Sequence, residues 1–186
     1  RGNVELTFNG KPVEAIDPFT LWDDDPRFGT VTTPAQHLSF KLEEEAIYAS
    51  VQPFIIPHLK RTIDTPRYKQ VNSAYKKARD MQGFYVYRNK RLISYGGWSS
   101  LSGVDEHSKL GKVMIEIKAG QERHFGLSPT KVDIQIPADF LRSVDSFLKE
   151  PRAWGNIDKG KPQTFRKAAR HRMDNEGKDA PKKKAK

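Results

Sequence analysis

Asp105 and the triplet Glu116-Ile117-Lys118 have the spacing of a metal-dependent nuclease core of the PD-(D/E)xK kind. In that chemistry two carboxylates hold Mg²⁺ and a lysine on the same strand face steadies the attacking water. Strand alternation does put Glu116 and Lys118 on one face, but any solvated strand surface gives the same pattern, and short motifs recur by chance. A second candidate is Gly155-Asn156-Ile157-Asp158-Lys159-Gly160-Lys161, which follows a phosphate-cradling loop up to its last position. Pro162 then stands where a Ser or Thr hydroxyl would bind Mg²⁺, and no apolar strand precedes the loop, so the context fails. The five histidines, His37, His58, His107, His124 and His171, are scattered without ligand spacing. No Gly-x-Ser-x-Gly is present to argue for a hydrolase.

Charge gives a third kind of candidate. The chain carries a net +10, and residues 151–186 hold 12 Lys/Arg against 4 Asp/Glu, so nearly all the excess lies there. Its last stretch, Pro181-Lys182-Lys183-Lys184-Ala185-Lys186, could neutralise phosphates and bind DNA without sequence preference. A solubilising tail would have the same composition. Arg88, Lys90 and Arg91, grouped about a turn, are a second place where nucleic acid could sit. The absence of cysteine excludes disulfides and thiolate zinc sites and fits a reducing cytoplasm. No apolar run approaches the length of a membrane span, and no signal-peptide pattern opens the chain.

These residues need a scaffold, and 186 residues are enough for one domain with a proper core. Its centre is Gln82 to Trp98. Phe84–Tyr87 reads as a strand buried on both faces, Asn89-Lys90 as a tight turn, and Leu92-Ile93 as the returning strand. Gly96-Gly97 ends that strand, and Trp98 closes the core beneath it. Before this, Val4, Leu6 and Phe8 alternate into an Asn9-Gly10 turn. Phe19, Trp22 and Phe28 sit in loops against the sheet. Leu38–Leu42 and Ile47–Val51 form an antiparallel pair joined by Glu43-Glu44-Glu45, the second strand ended by Pro53 and Pro57. Thr65–Met81 reads as a loop and then a helix. After the hairpin, Val113–Ile117 is a strand, Val132–Ile136 a short strand, and Ala138–Lys149 a helix with one apolar face. The fold expected is α+β, a mixed, mainly antiparallel sheet with two or three helices. Residues 1–150 make the domain. Residues 151–186 form a partly disordered basic tail with a short helix at 164–172.

The string Gly83-Phe84-Tyr85-Val86-Tyr87-Arg88-Asn89-Lys90-Arg91-Leu92-Ile93 followed by Gly96-Gly97-Trp98 resembles the transducer domain of GHKL ATPases, in the MORC-like branch. MutL and type II topoisomerases carry a comparable strand–turn–strand with an Asn-x-Arg core, here Asn89-Lys90-Arg91. The resemblance covers roughly residues 1–150. It implies a fold like the second domain of ribosomal protein S five. It also implies that the loop Ser128-Pro129-Thr130-Lys131 reaches the ATP of a preceding nucleotide domain, with Thr130 beside the nucleotide and Lys131 on the γ-phosphate. A compact ammonium on a long stem suits that role. Without the resemblance, Lys131 reads as an exposed strand-edge lysine.

The nucleotide-binding half of such a protein needs a Glu and an Asn a turn apart on a helix and an Asp-x-Gly-x-Gly, and none occurs between Arg1 and Lys186. The expectation is therefore a transducer fragment that depends on ATP and Mg²⁺ held elsewhere. It would be inactive alone and would relay ATP state to a dimer partner or a downstream module.

Overall fold

In the computed structural model, structure is described for residues 6–13, 17–21, 25, 28–42, 44–58, 78–126 and 134–176. The chain is α+β, with one mixed sheet, a separate small hairpin and two helices. The small hairpin joins β1 (Leu6–Phe8) to β2 (Lys11–Val13) through Asn9 and Gly10, both at positive φ. That is the geometry a two-residue Asn-Gly turn favours. Phe8 is exposed, so this hairpin contributes little to the core.

Six strands make the main sheet: β3 (Val31–Thr32), β4 (Gln36–Leu42), β5 (Glu45–Ile55), β6 (Gly83–Arg88), β7 (Arg91–Tyr95) and β8 (Gly111–Ile117). The long β5 carries β4 and β3 in succession along one edge and β8 along the other, all antiparallel. β6 pairs β8 in parallel and β7 antiparallel, so the β6–β7 hairpin extends the sheet beyond β8.

Pro53 does not end β5, contrary to the sequence expectation; it pairs Val113 within the ladder. Its carbonyl accepts from the Thr32 hydroxyl at 2.8 Å, so its backbone faces the edge where the partner strand breaks between Thr32 and Gln36. A missing N–H costs no ladder bond at such a gap.

Alternation sorts the side chains onto two faces. Ile47, Ala49, Val51, Phe84, Val86, Val113, Ile115 and Ile117 all belong to the main core. It is closed by α1 (Ala138–Lys149) through Phe140, Leu141, Val144, Phe147 and Leu148. The other face holds Phe54, Tyr85 and Met114 beneath Phe19, whose ring lies 4.3 Å from that of Phe54. Tyr85 is therefore as buried as Phe84, as a strand covered on both faces requires.

Beyond α1 the chain does not pass into the solvated tail expected from Pro151. Arg152 and Gln163 exchange backbone hydrogen bonds at 3.0 and 2.9 Å, closing a compact loop. After it, α2 runs from Phe165 to Glu176. Trp154, Ile157, Phe165, Ala168 and Ala169 all join the main core. Arg172 is 1% exposed and donates to the carbonyls of Gly29 and Ile55 at 2.8 and 2.9 Å, tying α2 to β5. The short helix expected at 164–172 is thus present and runs four residues further, to Glu176, and what average polarity hid is its packing against the core.

Two further expectations meet the limits of the described residues or fail within them. The loop and helix expected over Thr65–Met81 fall, for residues 65–77, outside the described residues, and Ala78–Met81 is a single 3₁₀ turn. Of the strand expected at 132–136, residues 134–136 form none. Instead the Gln135 N–H bonds the Phe125 carbonyl at 2.9 Å. No helix among the described residues is long and apolar enough to cross a membrane.

Candidate functional site

The tip of the β6–β7 hairpin presents Arg88, Lys90 and Arg91, all exposed. Asn89 and Lys90 both take positive φ, 49° and 64°, a turn that matches the twist of the flanking strands. A lysine there lacks glycine's freedom, and its N–H is held by Glu116 Oε1 at 2.9 Å. Arg88 Nε donates to Glu122 Oε1 at 2.7 Å. The Glu122 carboxyl lies below its ordinary value, chiefly through its own backbone N–H and then through the Arg88 guanidinium, against some burial.

The base of the same hairpin is clasped by two glycines. The Phe84 N–H bonds the Gly97 carbonyl at 2.9 Å, and a Cβ on Gly83, whose φ is +113°, would lie 1.9 Å from that carbonyl oxygen. Beside this clasp, buried Gln82 accepts through Oε1 from the Trp98 indole at 2.9 Å, the Asp105 N–H at 3.1 Å and the Ser108 hydroxyl at 3.2 Å. Its amide returns a bond to the Asp105 carbonyl at 2.9 Å. The hairpin is therefore rigid at its root and charged at its tip.

The carboxylates of the nuclease motif are not brought together. Asp105 is bonded to Gln82, just before β6 begins, whereas Glu116 pairs with Tyr87 near the end of β6. Gln82 and Tyr87 are five residues apart, so at about 3.3 Å per residue the two stand roughly 16 Å apart along the strand, too far to share one ion. Each also has other work. Asp105 accepts from the His107 N–H at 3.0 Å and from Arg170 at 3.2 Å, which hold its carboxyl below the ordinary value, the backbone bond first. Glu116 caps the Lys90 turn. Lys118 lies over the Tyr48 ring at 5.6 Å. No group of three or more His, Asp or Glu among the described residues could hold a metal ion. The loop of Gly155–Lys161 follows Trp154 rather than a strand, and Asp158 and Lys159 take left-handed backbone.

Thr130, Lys131, Lys182, Lys183 and Lys184 lie outside the described residues. The ends of the Lys131 segment are described, however. Phe125 is buried, Gly126 takes φ +68° against the Gln135 side chain, and Gln135 bonds back to Phe125. The described residues on either side of that segment, Phe125 and Gln135, are thus bonded to each other.

One feature escaped the sequence reading. A cavity of about 290 Å³ lies between the 102–108 loop and the first turns of α2, lined by Ser102, Asp105, Thr164, Arg166, Lys167 and Arg170 among others. Its signal was present: Phe165, Ala168 and Ala169 form an i, i+3, i+4 stripe that turns Arg166, Lys167 and Arg170 to the opposite side.

Comparison of the chain with protein-family models, with curated proteins and with solved structures finds no match.

Proposed function

We propose that this chain is a transducer module of a MORC-like GHKL ATPase. In this reading a preceding nucleotide domain of the same protein binds ATP and Mg²⁺, Lys131 completes its phosphate site, and the module relays ATP state, as a homodimer or to a downstream segment. The observation that supports it best is the β6–β7 hairpin, whose sequence carries the resemblance. A relay needs a stiff element joining a sensing loop to a distant surface. β6 is buried on both faces, clasped at Gly83–Gly97 and paired along its length with β8. The Lys131 segment departs from Phe125, eight residues beyond the end of β8 at Ile117. A γ-phosphate contact there would pull on a short, anchored connection to the sheet, and differential contact of this kind is what shifts a two-state equilibrium.

ATP would supply the phosphate charge that Lys131 meets, and Mg²⁺ would be carried with it by the nucleotide domain. The Mg²⁺ nuclease is the weaker reading, because Asp105 and Glu116 stand apart. DNA association would rest on Arg88, Lys90 and Arg91 and on Lys182, Lys183 and Lys184 as a non-specific electrostatic contact. Reading the coding frame upstream of Arg1 tests the proposal. A nucleotide domain with the Glu/Asn helix and Asp-x-Gly-x-Gly is expected, and a frame encoding anything else refutes it. In calorimetry the isolated chain should show no micromolar binding of ATP with Mg²⁺.

A further inference from the structure

We infer that the cavity between the 102–108 loop and α2 binds a phosphate monoester. This site is separate from the hairpin tip and from Lys131, and it does not depend on the transducer reading. Three cations, Arg166, Lys167 and Arg170, line it against a single carboxylate, Asp105. That leaves two positive charges in excess, the complement of a monoester phosphate, which carries about −1.5 to −2 at neutral pH. A diester, with one charge, matches less well.

Two of the three cations are held in place by neighbouring side chains. Arg166 donates to the Ser102 hydroxyl at 2.6 Å and its guanidinium lies 5.4 Å from the centre of the Trp98 ring, so it is held at the cavity wall. Arg170, one turn along, is oriented by Asp105 at 3.2 Å. Two oriented guanidinium groups from one helix, with a lysine between them, can meet phosphate oxygens from different directions, where one planar fork would suit a carboxylate. The Lys167 side chain makes no hydrogen bond or ion pair among the described residues and is the cation with least structural duty.

The charge arrangement on α2 is otherwise unfavourable. Arg166 and Arg170 are like charges four residues apart on one helix face, and the first turn holds no acidic residue. An anion in the cavity would relieve this repulsion. The volume, about 290 Å³, falls just below the roughly 300–1,000 Å³ that small-ligand pockets span. That is room for a phosphate with a sugar-sized group. Trp98, 2% exposed, is covered and offers no stacking surface, so recognition would centre on the phosphate rather than on a base.

The same monoester group occurs on a small sugar phosphate and at the 5′ end of a nucleic-acid strand. The test titrates the full chain with ribose 5-phosphate, dimethyl phosphate, and a short single-stranded oligonucleotide with and without its 5′ phosphate, reading the backbone amide resonances of Gly103 and Lys167. Both residues line the cavity. Saturable shifts with ribose 5-phosphate, weaker with dimethyl phosphate, support the site and name a small ester as its ligand. Shifts confined to the 5′-phosphorylated strand support it and name the strand end. Lys167→Gln should weaken binding about tenfold, the worth of one charge-assisted contact, and Arg166→Gln with Lys167→Gln should abolish it. Lys167→Glu reverses one charge without removing any described side-chain contact, and so serves should Arg166→Gln disturb the fold. No shift with any of these ligands, or undiminished binding to Lys167→Glu, overturns the inference.

Discussion

The β6–β7 hairpin and the segment from Arg152 to Glu176 feed one core, yet they are encoded in opposite ways. Trp98 from the first and Trp154 from the second both pack on Phe165, with ring centroids 6.1 and 5.4 Å away. The hairpin is written locally, in a β-prone run, two turn residues with positive φ and a glycine pair. The C-terminal segment is written only in relation to the rest. Its helix is basic and polar on average, and its few apolar residues matter because the sheet and α1 leave a place for them. Local sequence therefore marks where a strand turns better than it marks where a fold ends.

The sharpest break of the comparison is at the clasp. Gly83→Ala places a Cβ against the Gly97 carbonyl, backbone meeting backbone, at a φ that side chains rarely adopt. A loss above about 4 kcal/mol is expected, in the exceptional range for a single substitution. Gly97→Ala, with φ +74° and no atom within 4 Å of the added carbon, should cost only about 1–2 kcal/mol. Urea unfolding of the two variants measures the difference. Equal losses would mean that the close approach does not matter.

Trp154→Ala asks whether the C-terminal segment is structural. A buried tryptophan of the core costs about 3–5 kcal/mol on truncation. In a chain of this length that is roughly a 6–20 °C fall in Tm. A residue in a solvated tail would change stability by no more than about 0.5 kcal/mol. A thermal melt within 2 °C of the parent (about that 0.5 kcal/mol) would return the segment to the tail that composition suggested.

A pH-dependent effect separates the two faces of the sheet. Lys112 on β8 is fully buried opposite the main core and donates to the Pro18 carbonyl at 2.6 Å. Burial lowers its ammonium from 10.5 to about 7, with Asp17 acting in the opposite direction. Between about 7 and 10.5 the unfolded chain keeps this proton and the folded chain has released it, so stability should rise with pH across that window. Lys112→Met should flatten the rise and stabilise the chain most below about pH 7. An unchanged slope in denaturant titrations from pH 6 to 10 would show that Lys112 stays charged inside the fold.

These contrasts also explain what the sequence made legible. Strands around Phe84, Ile115 and Ile47 were readable because alternation and turn chemistry are local, and α1 because its apolar face repeats at helical spacing. Pro53 was misread because its tolerance depends on a break in the neighbouring strand, which no local pattern records. Arg172 looked like one more tail cation, and only the carbonyls of Gly29 and Ile55 give it a buried role. At the candidate sites, the exposed cluster of Arg88, Lys90 and Arg91 was legible from the turn. The duty of Glu116 as a cap on that turn was not, because it depends on the pairing of β6 with β8. The cavity beside α2 needed the 102–108 loop to be brought across from more than fifty residues earlier in the chain.

The relay reading rests on Lys131, and its substitution tests it most directly. In isolation Lys131→Ala should leave stability within about 0.5 kcal/mol of the parent, the change that a side chain reserved for a phosphate in another domain would give. In the protein with its nucleotide domain present, the same change should lower steady-state ATP turnover about 10²–10³-fold, the scale of losing one charge-stabilising group at a reacting centre. ATP affinity should fall far less. Turnover equal to the parent's, or a variant that unfolds, would contradict the account.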